Sequence, residues 1–305
     1  VDCIFPQFLK SKDKIAVVSP SGAVDPEIID QACHTLISWG LVPVMGAYAK
    51  NRFGRFSGTD EQRLYDLQCA MDDDSISAIL CGRGGYGAMR IVDKLDFSRF
   101  ARHPKWLIGF SDITALHANF TKHGFASIHG VMAKAIAHEK ENTVSVDPLR
   151  ELLFGKLPSY PIKNISTYNR QGTATGQLVG GNLSLLYGMQ ASDFAIKARG
   201  KILLIEDISE RMYHIDRMIQ SLRLAGVFDR ISGLIVGQFT DIEPDSSMDK
   251  TIEEIVLSAV GDRKIPIVFD FPVGHVANNQ PLILGAAVKL KVSKKAAFVA
   301  YEKNP

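Results

Sequence analysis

The stretch KIAVVSPSGAVDPEIIDQACHTLISWGLVPVMG, residues 14–46, decides the fold. Lys14 to Ser19 is a short apolar run of the length of a buried strand. Asp25 stands where a helix cap belongs, and Pro26 suits the first turn. Ile28, Ile29, Ala32, Cys33, Leu36 and Ile37 then recur on one helical face until Gly40 stops it. LVPVMG follows as a second strand. Strand, helix and strand in this spacing make a parallel β-α-β unit.

The same alternation continues. TDEQRLYDLQCAM predicts a helix capped by Thr59, with Leu64, Leu67 and Met71 as its apolar stripe. Then come the strand ISAILC, the loop GRGGYG, a helix through Leu95, the strand KWLIGF and the helix DITALHANFTKHG. Repeated units of this kind imply an α/β fold, with a mostly parallel sheet covered on both faces and ligand sites beyond the C-terminal ends of its strands. Between Gly155 and Gly176 the pattern lapses into a polar, proline-containing run. This predicts an N-terminal α/β domain over 1–155, a linker over 156–176 and a smaller C-terminal domain over 177–305. Strand-like KILLIE, ISGLIVG, IPIVFDF and PLILGAAVKLKV alternate there with helical MYHIDRMIQSLRLAG and DKTIEEIVLSAVG, ending in a strand pair.

The 305 residues are 46% hydrophobic and 22% charged, as in a soluble globular protein, with a net charge of +2 and no block of like charges. Nothing here favours a nucleic-acid or membrane-surface partner. No apolar run approaches the ~20 residues of a spanning helix. Four cysteines without CxxC spacing fit reduced thiols. The chain starts at Val1 rather than Met, which leaves room for a targeting segment removed before it.

Ser111, in IGFSDIT, lies between a strand and a helix. It is either the cap of that helix or a nucleophile on a sharp elbow, although Ile113 stands where G-x-S-x-G has its second glycine. A serine nucleophile needs a base and an orienting carboxylate. His275, in the Pro/Gly loop after IPIVFDF, is the candidate base and His129 its rival. His34, His117, His123 and His138 fall on helices or their ends, where half-exposed surface is the default. Glu206 ends the apolar run KILLIE, where a carboxylate needs a partner; the alternative is an ion pair with Arg211 or Arg217. GRGGYG offers N–H groups to an oxyanion or a phosphate, or is simply a tight turn. Cys81 before it is a rival nucleophile. Arg83 and Ser21 are candidates for holding a substrate carboxylate. No metal-ligand spacing is present, and no cofactor is implied.

Taken together, VVSPSG, CGRGGYGAMRIVDKLDF, WLIGFSDITALH, HGVM, GQLVGGNLSLL, LLIEDI, GLIVGQF and FPVGH resemble the LD-carboxypeptidases, serine peptidases of the muramoyltetrapeptide carboxypeptidase type. The matches run in order from about residue 14 to 290. The resemblance implies a parallel-sheet N-terminal domain, a C-terminal domain of swivelling β/α type and an active site between them. It implies a Ser-Glu-His triad at Ser111, Glu206 and His275, with an oxyanion hole from the backbone N–H groups of Asp112 and Gly85, Gly84 being the alternative. It further implies a cytoplasmic, metal-free homodimer that removes D-alanine from murein tetrapeptides during cell-wall recycling. A related branch, the microcin C immunity peptidases, shares the triad but cleaves aminoacyl-sulfamoyl adenylates. Its adenine-stacking aromatic has no tryptophan counterpart here, Trp39 lying in a helix and Trp106 in a strand, though Tyr168 could stack. A phosphate-ligand-binding protein without triad chemistry is the remaining alternative.

Overall fold

The computed structural model describes residues 3–163 and 166–301. It divides into two units: the chain up to Leu157 with Ala277–Leu284, and Pro158–Val276 with the chain from Gly285 onward.

In the first unit the order is β1 (Lys14–Val18), α1 (Pro26–Ser38), β2 (Val42–Met45), α2 (Asp60–Asp72), β3 (Ile76–Cys81), β4 (Trp106–Gly109), α3 (Thr114–Lys122), β5 (Ser127–His129), α4 (Ala133–Ala137) and α5 (Thr143–Leu153). The sheet order is β11-β5-β4-β3-β1-β2, where β11 is Leu282–Leu284. The first five strands are mutually parallel, and β11 closes the edge antiparallel to β5. Apart from Lys14, β1 is buried, as are β3 but for Ser77 and all of β4, as strands covered on two faces must be. Trp106 is stacked on Phe8 and meets Phe5 edge-on.

Local signals act largely as the residues require. Thr59 and Gln62 close a reciprocal capping box on α2. Pro26 opens α1, and Gly40 takes the left-handed conformation just past its end. Asp25 precedes α1 without capping it and pairs with Arg52 instead. Three further expectations fail on these elements. After GRGGYG there is no α-helix, only the 3-10 turns Ala88–Arg90 and Val92–Lys94, because a segment this short cannot repay helix nucleation. The buried face of α2 carries Arg63 and Asp66 beside Leu67, Ala70 and Met71, while Leu64 is only half-buried. PLILGAAVKLKV is not one segment: its first strand, β11, joins the first unit's sheet.

The second unit runs β6 (Ser159–Ile162), β7 (Gly172–Asn182), α6 (Leu183–Gly188), β8 (Ile202–Ile208), α7 (Met212–Leu224), α8 (Val227–Arg230), β9 (Gly233–Thr240), α9 (Ile252–Val260), β10 (Ile267–Val268), β12 (Ala287–Val292) and β13 (Ala297–Tyr301). Its sheet order is β10-β9-β8-β7-β12-β13-β6. The β10 to β7 half is parallel, and the remainder is antiparallel. The strands β6 and the start of β7 occupy residues expected to be linker. Alternation of charged and apolar residues in β12 gives it one buried face, typical of a half-covered antiparallel strand. The core sets Leu203, Ile205, Leu234 and Val236 against Ile219 and Val256. Among the described residues no helix is long and apolar enough to cross a membrane.

Candidate active site

Ser111 follows β4 through Phe110, whose backbone is fully extended, and then turns sharply, with φ +63°. A serine in the left-handed region is strained by ~1–2 kcal/mol and persists only where its surroundings hold it. It opens a 3-10 turn, Ser111–Ile113, that runs into α3. An N-cap has extended backbone and accepts a hydrogen bond from the helix. Ser111 has neither property, and the residues at the cap positions are Phe110 and Ile113. The geometry is that of an elbow.

The glycine turn lies directly against this serine. A Cβ built on Gly84 would fall 2.8 Å from Ser111 Cβ, 3.1 Å from Oγ and 3.3 Å from Asp112 N. The Gly84 carbonyl accepts the Gly22 N–H at 3.1 Å, which orients the following peptide and so the Gly85 N–H on its opposite side. Asp112 N belongs to the first turn, where N–H groups have no intrahelical acceptor. Its carboxylate is buried, accepts the Ser21 hydroxyl and accepts Ala88 N–H at 2.8 Å. Burial pushes the Asp112 carboxyl above the ordinary carboxylate range, and these two hydrogen bonds oppose the shift. Arg63, buried under the turn, donates to the carbonyls of Pro20 and Gly87 and pairs with Asp60. Sequence reading missed Arg63; its only trace was a charge beside the α2 stripe.

In the second unit, Glu206 sits near the C-terminal end of β8 at a break in register with β9. Its side chain is fully buried, and Oε2 lies 2.8 Å from His275 Nδ1. A carboxylate acceptor makes Nδ1 the protonated nitrogen of the neutral imidazole. The loop carrying His275 is tied to β9 by Gln238 N–H to the Val273 carbonyl and by the Thr240 hydroxyl to the His275 carbonyl. Gly274, at φ +112°, brings its backbone so close that a Cβ there would lie 2.7 Å from Glu206 Oε2. Asp207 is also buried. It accepts from Asn182 Nδ2, Ser184 N and Ile208 N, and its carboxyl is pushed up to about 6, chiefly by burial. Arg211 pairs with Glu243, so the ion-pair reading of Glu206 is replaced by the histidine contact.

The first unit thus carries Ser111, Asp112, Gly85, Arg83 and Ser21; the second carries Glu206 and His275. Several candidates change standing. The Ser21 hydroxyl is fully buried and donates to the Asp112 carboxylate. Arg83 is exposed beside the turn, with one nitrogen 3.3 Å from the Ala23 carbonyl. Cys81 is fully buried, and burial, reinforced by nearby Asp112, pushes its thiol far above its ordinary range, which disfavours the thiolate a nucleophile needs. His129 is buried against Phe110 at 5.8 Å. His117, expected at the surface, is buried and bridges Ser127 Oγ and the Gly109 carbonyl, both at 2.8 Å. Tyr168 is half-buried, its ring edge-on to Phe269. A cavity of about 340 Å³ at the ends of β9 and β10 is walled by Phe239, Ile242, Phe269, Glu253 and Asp270; Glu206 and His275 are not among its walls. Among the described residues no three His, Cys, Asp or Glu side chains cluster as a metal site.

Residues 15–130 match the LD-carboxypeptidase N-terminal domain and residues 175–290 the LD-carboxypeptidase C-terminal domain. A Bacillus subtilis (strain 168) protein bearing the name probable murein peptide carboxypeptidase is 32% identical over 309 residues, covering 96% of this chain and 93% of its own. The crystal structure of muramoyltetrapeptide carboxypeptidase from Oxalobacter formigenes is similar at 26% identity with a TM-score of 0.86, over 96% of this chain and 99% of that one. The fold, at 21% identity and a TM-score of 0.86, is also that of the microcin C7 self immunity protein MccF in complex with aspartyl sulfamoyl adenosine, over 98% and 99% of the two chains. With both domain models matched in order and a relative aligned along nearly its whole length, the chain belongs to the LD-carboxypeptidase family.

Proposed function

We propose that this chain is a serine-type LD-carboxypeptidase that hydrolyses the bond holding the terminal D-alanine of murein tetrapeptides. The observation that carries the chemistry is the strained Ser111 elbow with the glycine turn pressed against its side chain. Ser111 Oγ attacks the scissile carbonyl while His275 Nε2 takes its proton. Glu206 holds the imidazole in the Nδ1–H tautomer and stabilises the imidazolium. The Asp112 and Gly85 N–H groups receive the developing oxyanion. His275 then returns the proton to the leaving D-alanine nitrogen, and water, activated by the same imidazole, hydrolyses the acyl-enzyme. Arg83 is the group offered to the substrate's terminal carboxylate. The murein peptide as substrate is supported by the names of the relatives, and the family resemblance adds a cytoplasmic homodimer.

The test is Ser111→Ala. D-alanine release should fall by ~10⁴ or more with circular dichroism unchanged, and a fluorophosphonate should label the wild type at Ser111 only. Near-normal turnover by the variant refutes the assignment. A phosphate-binding reading of GRGGYG lacks the helix that would supply a dipole behind the turn, since only 3-10 turns follow it. Rates on an aminoacyl-sulfamoyl adenylate, measured beside those on the tetrapeptide, separate the microcin-type activity from the proposed one.

A further inference from the structure

The side chain of Asp112 has no part in the triad, yet it is a buried carboxylate, an expensive group to keep where an apolar residue would pack. Its contacts say what it is kept for. One oxygen, Oδ2, accepts both the Ser21 hydroxyl and the Ala88 N–H. The Ala88 N–H belongs to the same peptide group as the Gly87 carbonyl, and that carbonyl accepts from Arg63 Nη1 at 2.9 Å. Arg63 Nη1 also holds the carbonyl of Pro20, the residue before Ser21. A cation and an anion therefore grip opposite ends of one peptide dipole, and each also grips the Pro20–Ser21 segment. Three loops meet in this knot: the exit of β1, the exit of the glycine turn and the elbow of Ser111.

We propose that the Asp112 carboxylate and the Arg63 guanidinium form a two-ended clamp on the Gly87–Ala88 peptide, a positioning device that fixes the glycine turn against Ser111 and so sets the spacing of the two oxyanion donors. This rests on the reading of Ser111 as nucleophile. Asp112 carries one donor on its own backbone, and its side chain holds the loop that carries the other, three residues before Ala88. Neither side chain touches the reacting atoms. Their effect is transmitted through the Gly87–Ala88 peptide to Gly85, and a displacement of about 1 Å there costs on the order of 10²-fold in rate.

The experiment compares Asp112→Ala, Asp112→Asn and Ser21→Ala in the full chain, reading kcat and KM for D-alanine release and the rate of fluorophosphonate labelling of Ser111. Asp112→Ala should lower kcat and the labelling rate by about 10²-fold with KM within about twofold. Asp112→Asn keeps an oxygen to accept from Ala88 N–H and should recover at least about tenfold of the loss. Ser21→Ala, which removes one donor from an otherwise intact clamp, should lower kcat severalfold at unchanged KM and serves where Asp112→Ala does not fold. An Asp112→Ala or Ser21→Ala enzyme with wild-type kcat, a loss confined to KM, or an amide variant no better than the alanine overturns the clamp. If the wild-type Ser111 is not labelled at all, the nucleophile assignment itself fails; if it is labelled and Asp112→Ala is labelled equally fast, only the clamp fails.

Discussion

Gly84→Ala is the smallest change that reaches the proposed nucleophile. Gly84 does not have positive φ, so an alanine there is compatible with the backbone and its effect is one of contact. The new methyl would lie 2.8 Å from Ser111 Cβ and 3.3 Å from Asp112 N, whereas carbon atoms settle at about 3.5–4.0 Å. The nearest atom is the Cβ of a strained residue, which cannot swing away as the end of a long side chain would. The turn and the elbow must therefore separate by nearly 1 Å. Overpacking of this kind costs about 1–3 kcal/mol of stability. The same displacement at the reacting atoms predicts a kcat lower by on the order of 10², or about 2.7 kcal/mol on the barrier. Gly85→Ala is the control: no heavy atom lies closer than 3.7 Å, but φ +109° strains any L-residue, so its penalty should appear first in stability. A coupled assay for released D-alanine and a thermal melt read both quantities. A Gly84→Ala enzyme with kcat within threefold of wild type would refute the reading of the turn as part of the oxyanion site.

Gly274→Ala combines positive φ with a methyl 2.7 Å from Glu206 Oε2, so it should cost several kcal/mol and uncouple the Glu206–His275 pair; a urea midpoint and activity matching wild type would contradict this. His117 is held neutral by burial, with its value depressed to about 4. The unfolded chain, titrating near 6.5, binds the proton first as pH falls, so His117 makes stability drop between pH 6.5 and 4. Between pH 7.5 and 5 the wild type should lose about 2 kcal/mol more than His117→Gln, whose amide can still bridge Ser127 and Gly109; equal losses in urea titrations would exclude the shift. Cys81, buried and with its thiol pushed up, should resist iodoacetamide at pH 8 while exposed Cys69 reacts, as mass mapping of the adducts would reveal.

The parts of this fold legible in the sequence are those governed by near neighbours. The Thr59 cap, the Ile29, Ala32 and Leu36 part of the α1 stripe (Ile37 is exposed) and the buried runs of β1, β3 and β4 depend on residues within a few positions of one another. What stayed hidden depends on distant partners. Arg63 reads as a solvated helix charge until Pro20 and Gly87 are folded onto it. His117 reads as a half-exposed helix residue because Ser127 and Gly109, which bury and satisfy it, come from two neighbouring strands. The strand Leu282–Leu284 was visible as a strand, but its sheet was not, since an antiparallel partner leaves no mark on its composition. For Ser111 the sequence left cap and nucleophile both open, because the difference lies in one backbone angle. The family motifs favoured the nucleophile, and φ +63° removes the cap.

The closing strand β11 also sets a schedule for synthesis. The unit that carries Ser111 exposes β5 as a bare sheet edge until residue 284 has left the ribosome, roughly 10–30 s after β5 itself at ~5–20 residues per second. Bare edges invite pairing with other chains. A nascent or prematurely terminated chain ending just past His275 would retain every proposed triad residue and still lack the strand that seals the nucleophile's own sheet. Its failure would be one of solubility before it was one of catalysis.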